Sequence, residues 1–122
     1  MGVNQTGQMG EALAAGILQK NGYKVLARNL HSTYGEIDLI AEGDGCICFV
    51  EVRVRQEGSM VDPLASITRA KVRRIIKTAL VYLRDHPSDL QPRFDLFAIT
   101  TTKEGKAASY EHIKGAFEAD GY

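Results

Sequence analysis

The amino-acid sequence predicts an α/β fold, a mixed sheet flanked by helices. Three observations predict it: a helical repeat near the N-terminus, three consecutive β-rich runs, and a long helical repeat followed by a further strand. The 122 residues, 44% hydrophobic and 25% charged, suffice for one ordinary core and are too few for two. Residues 1–122 are therefore expected to form a single domain.

In residues 9 to 21, Leu13 with Ile17 and Ala14 with Leu18 recur at helical spacing, and Asn21-Gly22 supplies a stop. Tyr23 to Leu30, Gly35 to Glu42 and Cys46 to Arg55 are β-rich, the last two joined through the turn residues Gly43-Asp44-Gly45. These read as an antiparallel meander. Asp62-Pro63 then offers an N-cap and a first-turn proline to a long helix carrying Leu64, Thr68, Val72, Ile75, Ala79 and Leu83, ending near His86-Pro87. Arg93 to Thr101 is a fourth strand and Ser109 to Ile113 a short fifth, with a closing helical turn expected over Gly115 to Ala119. The order α-β-β-β-α-β-(β) fits a meander extended by a strand that returns across a right-handed helical crossover.

Composition narrows the function classes. Fifteen Lys plus Arg balance fifteen Asp plus Glu, so no whole-molecule field marks a nucleic-acid binder. Cys46 and Cys48 point to one face of a strand and read as buried thiols; His31, His86 and His112 are scattered, which argues against structural zinc. No apolar run approaches the length needed to span a bilayer, so a cytoplasmic protein without a membrane partner is expected. Residues Gly2 to Thr6 match short myristoylation and glycosylation patterns, which predict nothing without a supporting context.

The charges fall in a pattern. Strand alternation puts Ile37, Leu39 and Ala41 on one face and Glu36, Asp38 and Ile40 on the other, so an acid interrupts an apolar strand. In the next run Ile47, Phe49, Glu51, Arg53 and Arg55 share a face. Pairing through the Gly43–Gly45 turn lets Asp38 and Glu51 approach, and adjacent carboxylates repel unless a hard cation such as Mg²⁺ or Mn²⁺ lies between them. The alternative reading is an ion pair in which Arg53 neutralises either acid. Glu11 can point from the first helix toward the same sheet end, or be a solvated residue near a helix start. From Arg53 to Lys77, seven basic residues (Arg53, Arg55, Arg69, Lys71, Arg73, Arg74, Lys77) face two acids, Glu57 and Asp62. That local excess suits a phosphodiester backbone, or equally a solvated helix face.

The segments Gly35-Glu36-Ile37-Asp38-Leu39-Ile40-Ala41, Phe49-Val50-Glu51-Val52-Arg53-Val54-Arg55 and Arg93-Phe94-Asp95 resemble the YraN-like family of small uncharacterised bacterial proteins. Gly10-Glu11, Gly22-Tyr23 and Arg28-Asn29 extend the resemblance over nearly the whole chain. That family is similar to the Holliday-junction-resolvase branch of restriction-endonuclease-like nucleases, whose signature is an Asp followed by Glu-x-Lys on the next strand. The resemblance implies a restriction-endonuclease-like core in which Asp38, Glu51 and the Val52 carbonyl ligate Mg or Mn, with Glu11 as a further acid. Arg53 departs from the signature lysine and, as a guanidinium, cannot serve as a general base. The function expected is metal-dependent cleavage of DNA, branched or structured, with Arg55, Arg69, Lys71, Arg73, Arg74 and Lys77 on phosphates and a homodimer as the candidate assembly. The alternative is a non-catalytic nucleic-acid-binding module, and a third reading is a protein-interaction domain with a structural ion-pair cluster.

Overall fold

The structure, a computed structural model, describes residues 3–119. The patterns at Gly2 to Thr6 lie outside the residues whose side chains are described. Helix α1 spans Val3–Lys20, and strands β1 (Lys24–His31), β2 (Glu36–Gly43) and β3 (Cys46–Gln56) follow. Helix α2 (Arg69–Asp85) leads to β4 (Gln91–Thr101) and β5 (Ala107–Phe117). The five strands form one sheet in the order β1-β2-β3-β4-β5. All neighbours are antiparallel except β3 and β4, whose parallel pairing is the one that requires the α2 crossover. The element order and mixed sheet match the expected layout.

A helix covers each face. Against α1 lie Leu39, Ala41, Cys48, Val50, Val52, Phe97 and Ile99, packed on Ala14, Ala15 and Leu18. Against α2 lie Ile37, Ile40, Ile47, Phe49 and Phe94, packed on Val72, Ile75, Ile76, Ala79 and Tyr82. Alternation in β3 is therefore as expected. In β2 it is not, because Ile37 and Leu39 face opposite sides. The break falls at Asp38, opposite Asn29, whose φ of 52° places it in the left-handed region that Asn tolerates better than most residues. Both strands reverse their facing at this one point, which no period-2 reading could place.

Three further expectations are corrected. The second helix does not begin at Asp62-Pro63: Asp62 accepts the Leu64 N–H over a separate 3-10 turn (Leu64–Ser66), and Thr68 caps α2 by accepting the Lys71 N–H at 3.1 Å. The chain is extended at Ile67, so the repeat from Leu64 to Leu83 joins two elements. Gly115 to Ala119 is not a helical turn; β5 runs on to Phe117, which pairs with Phe94 and stacks on its ring at 5.6 Å. Cys46 is only partly buried, whereas Cys48 is fully buried and burial, then the Asp95 charge, push its thiol up to about 12. Among the described residues no helix is long and apolar enough to cross a membrane.

The motif Arg93-Phe94-Asp95 serves the sheet. Asp95, fully buried, accepts from Arg93 Nε and Nη2 at 2.9 Å each, from the Gly115 N–H at 3.0 Å, and pairs with His112 Nε2 at 2.7 Å. Arg93 Nη2 donates to the Tyr23 hydroxyl, which donates to Asp44 in the β2–β3 turn. Burial opposes the Asp95 charge, yet hydrogen bonds from His112, Arg93 and Gly115 hold its carboxyl below the usual range. These bonds tie β4 to β5 and to the turn at the far end of the β2–β3 hairpin from Asp38.

The fit of α1 on the sheet is set by Gly10. A Cβ there would stand 2.6 Å from Val54 Cγ2 and 3.5 Å from Val52 Cγ1, so only glycine lets the helix sit this close. Gly10→Ala is expected to cost about 1–3 kcal/mol by overpacking. Chemical denaturation measures it; an unchanged midpoint would mean that α1 does not rest on β3 at this residue.

Candidate active site

β2 and β3 are paired from Gly43↔Cys46 to Leu39↔Val50, and there the ladder stops. Asp38 and Glu51 thus lie one step past the last pair and do not face each other as ladder partners. Instead Asp38 Oδ2 accepts the Val52 backbone N–H at 2.8 Å, replacing the strand partner that β2 no longer provides. Parting of the strands opens a cavity of about 660 Å³ lined by Glu11, Asp38, Glu51, Val52, Arg53 and Lys71, with Asn29, His31 and Glu36 at its β1–β2 side. Glu11 from α1, Asp38 from β2 and Glu51 from β3 therefore border one space, with Glu36 at its edge.

Glu51, 3% exposed, is held by Arg53 Nη1 at 2.8 Å and approached by Lys71 Nζ at 3.5 Å. Burial, and after it the Asp38 charge, push its carboxyl up to about 7 despite these two cations. Burial and then Asp38 also raise Glu11, whose Oε2 is buried without a hydrogen-bond partner. The cavity is thus short of positive charge even with Arg53 and Lys71 present. Arg53 is oriented by a second bond, Nε to Ser66 Oγ at 3.2 Å, from the 3-10 turn. Among the described residues no group of three or more His, Cys, Asp or Glu side chains is arranged as a metal cage. Oxygen donors are nevertheless the type a hard cation takes, and the orphaned Glu11 oxygen together with the raised Glu51 fits such a charge.

Of the six basic residues assigned to phosphate contact, Lys71 alone lines this cavity. Arg55 is engaged elsewhere: Nη1 donates to the Val61 carbonyl at 2.8 Å and Nε to Thr100 Oγ1 at 3.5 Å, so it secures the segment between β3 and α2. Arg69, Arg73, Arg74 and Lys77 are exposed along α2. Sequence reasoning placed Lys71 in a basic run and missed that it enters the carboxylate site. The available signal was its position three residues after the capping Thr68, at the boundary between the helix's buried and exposed faces.

Comparison with known proteins follows the same boundaries. The model of the "Uncharacterised protein family UPF0102" matches residues 10–99. A UPF0102 protein of Syntrophotalea carbinolica is 40% identical over 117 residues, covering 95% of this chain and 94% of that protein. One of Myxococcus xanthus is 42% identical over 114 residues, covering 93% and 89%, and one of Persephonella marina 43% over 116 residues, covering 93% and 94%. The matched region runs from Gly10, where α1 meets the sheet, to Ile99 and includes Glu11, Asp38, Glu51, Arg53 and Lys71. With a family model over most of its length and relatives at about this identity end to end, the chain belongs to the uncharacterised protein family UPF0102.

Proposed function

We propose that this protein is a metal-dependent nuclease acting on DNA. The observation that carries the reading is the meeting of Glu11, Asp38 and Glu51, from three different elements, with Arg53 and Lys71 around one open cavity. Asp38, Glu51 and the Val52 carbonyl would hold Mg²⁺ or Mn²⁺, which when bound supplies Lewis acidity and a more acidic water. Arg53, fixed by Glu51 and Ser66, donates to non-bridging phosphate oxygens and stabilises the charge that develops on phosphorus. Glu11, with a free Oε2 and a raised pKa, orients the attacking water and accepts its proton. Lys71 brings an ammonium to the site where Arg53 stands in place of the signature lysine.

A second reading has its own observation. Glu51 is already paired with Arg53 at 2.8 Å and Lys71 at 3.5 Å, a closed ion-pair cluster that suits a nucleic-acid-binding module without cleavage. Mn²⁺-dependent cleavage of branched and flapped DNA separates the two. For a nuclease, Asp38→Ala and Glu51→Ala abolish cleavage, Arg53→Lys retains it, and Lys71→Ala lowers it by at least about tenfold. For a binding module, no protein cleaves and Arg53→Ala weakens binding by about 1–3 kcal/mol. Cleavage undiminished in both carboxylate variants would identify a contaminant and end the nuclease proposal.

The charge deficit is testable without activity. A carboxyl raised to about 7 in the folded state stabilises the fold, relative to its ionised form, at pH below its unfolded value near 4.5, and that contribution is lost as pH rises through 7. Glu51→Gln should therefore gain stability relative to the unmodified chain between pH 4.5 and 7, by at most about 3 kcal/mol. Mn²⁺ at pH 8 should raise Tm of the unmodified chain and leave Glu51→Gln unmoved. A stability difference that is flat with pH, or equal Mn²⁺ shifts, would remove Glu51 from the cation site.

A further inference from the structure

The turn between β1 and β2 carries an exposed aromatic ring that the core does not use. Tyr34 is 48% exposed at the tip of Ser32–Gly35. The turn itself is held by hydrogen bonds. Ser32 N–H donates to the Gly35 carbonyl at 2.8 Å, Tyr34 N–H to Ser32 Oγ at 3.1 Å, and the Ser32 and Thr78 hydroxyls lie 2.9 Å apart. Thr78 is fully buried on α2, so the turn is pinned to the helix. Gly35, at φ 154°, presses so near α2 that a Cβ would stand 3.1 Å from Arg74 Cβ. At the base of the turn His31 and Glu36 pair at 3.3 Å, and both line the carboxylate cavity.

Cations connect the ring to the cavity. Lys71 reaches Glu51, Arg74 lies against Gly35, and Lys77 Nζ stands 5.6 Å from the Tyr34 ring centroid. Steps of three residues keep successive side chains on neighbouring positions of a helix surface. Lys71 to Lys77 spans about 9 Å of helix axis, on the order of three stacked nucleotide steps. A row of cations ending at a solvent-facing aromatic on an anchored turn is the arrangement that binds unpaired nucleic acid, backbone on the charges and base on the ring. A base inside a duplex has both faces covered by its neighbours and offers none to such a ring.

We propose that Tyr34 is a stacking platform for an unpaired base of a DNA strand whose phosphates follow Lys77, Arg74 and Lys71 into the carboxylate cavity. The substrate class is then a duplex with a single-stranded segment beside the target phosphate, in preference to blunt duplex. The assignment rests on the nucleic-acid reading above and extends it to a residue outside the cavity.

The test is equilibrium binding to a fluorescent duplex with a five-nucleotide tail and to the same duplex blunt, with 2-aminopurine in the tail as a stacking reporter and no divalent cation. Tighter binding of the tailed duplex, with quenched 2-aminopurine, is expected. Tyr34→Ala should lose about 5- to 100-fold on the tailed duplex only and relieve the quenching, and Tyr34→Phe should keep both. Melting temperature checks that each variant folds, as an exposed ring permits. Equal binding of both duplexes, or unaltered binding and quenching in Tyr34→Ala, would overturn this inference while leaving DNA binding in place. Absence of any DNA binding at low salt would overturn it together with the proposed function.

Discussion

The hydrogen bond from the Val52 N–H to Asp38 is the constraint on which the candidate site depends. Where β2 leaves β3, an inner strand would be left with an unpaired donor, and such a donor is costly to bury. The Asp38 carboxylate takes that bond, so the strands can part without exposing or orphaning the backbone. The same step turns Asp38 out of strand alternation and, across from it, puts Asn29 in the left-handed region. A gap that would be a defect elsewhere in the sheet becomes a cavity with a carboxylate fixed at its entrance.

Electrostatics inside that gap follow from the two flanking helices. Gly10 lets α1 descend onto β3, which buries Glu11 beside Asp38. On the opposite face α2 brings Lys71 down toward Glu51. Two cations do not offset the burial of these acids, since Glu51 still resists ionisation to about pH 7 and Glu11 keeps an unpartnered oxygen.

The other buried acid shows the contrast. Asp95 is as deeply placed as Glu51, yet Arg93, His112 and the Gly115 N–H satisfy it and draw its pKa down. Its partners close on one another through Tyr23 and Asp44. Two acids in one sheet thus differ by their surroundings: Asp95, held by three hydrogen-bonding groups, locks strands together, and Glu51, beside the Asp38 charge, borders open space.

By itself the sequence determined the element types and order, because hydrophobic periods of 3.6 and 2 are local properties, and it singled out two acids, since Asp38 interrupts an apolar strand and Glu51 follows the apolar Ile47 and Phe49 on one face of the next. The phase of the first helix offered Glu11, and the motif resemblance gave it a role and marked the departure at Arg53. Tertiary structure decided what periodicity cannot encode. The reversal at Asp38 arises from pairing across two strands, and the split of the second helical repeat at Ile67 from the Thr68 cap competing with Asp62. Extension of β5 through Phe117 needed the ring of Phe94 on the neighbouring strand. Lys71 looked like one cation among seven, and only the packing of α2 on the sheet set it beside Glu51, because a side chain's charge is written in the sequence while its partner is fixed by which surfaces meet.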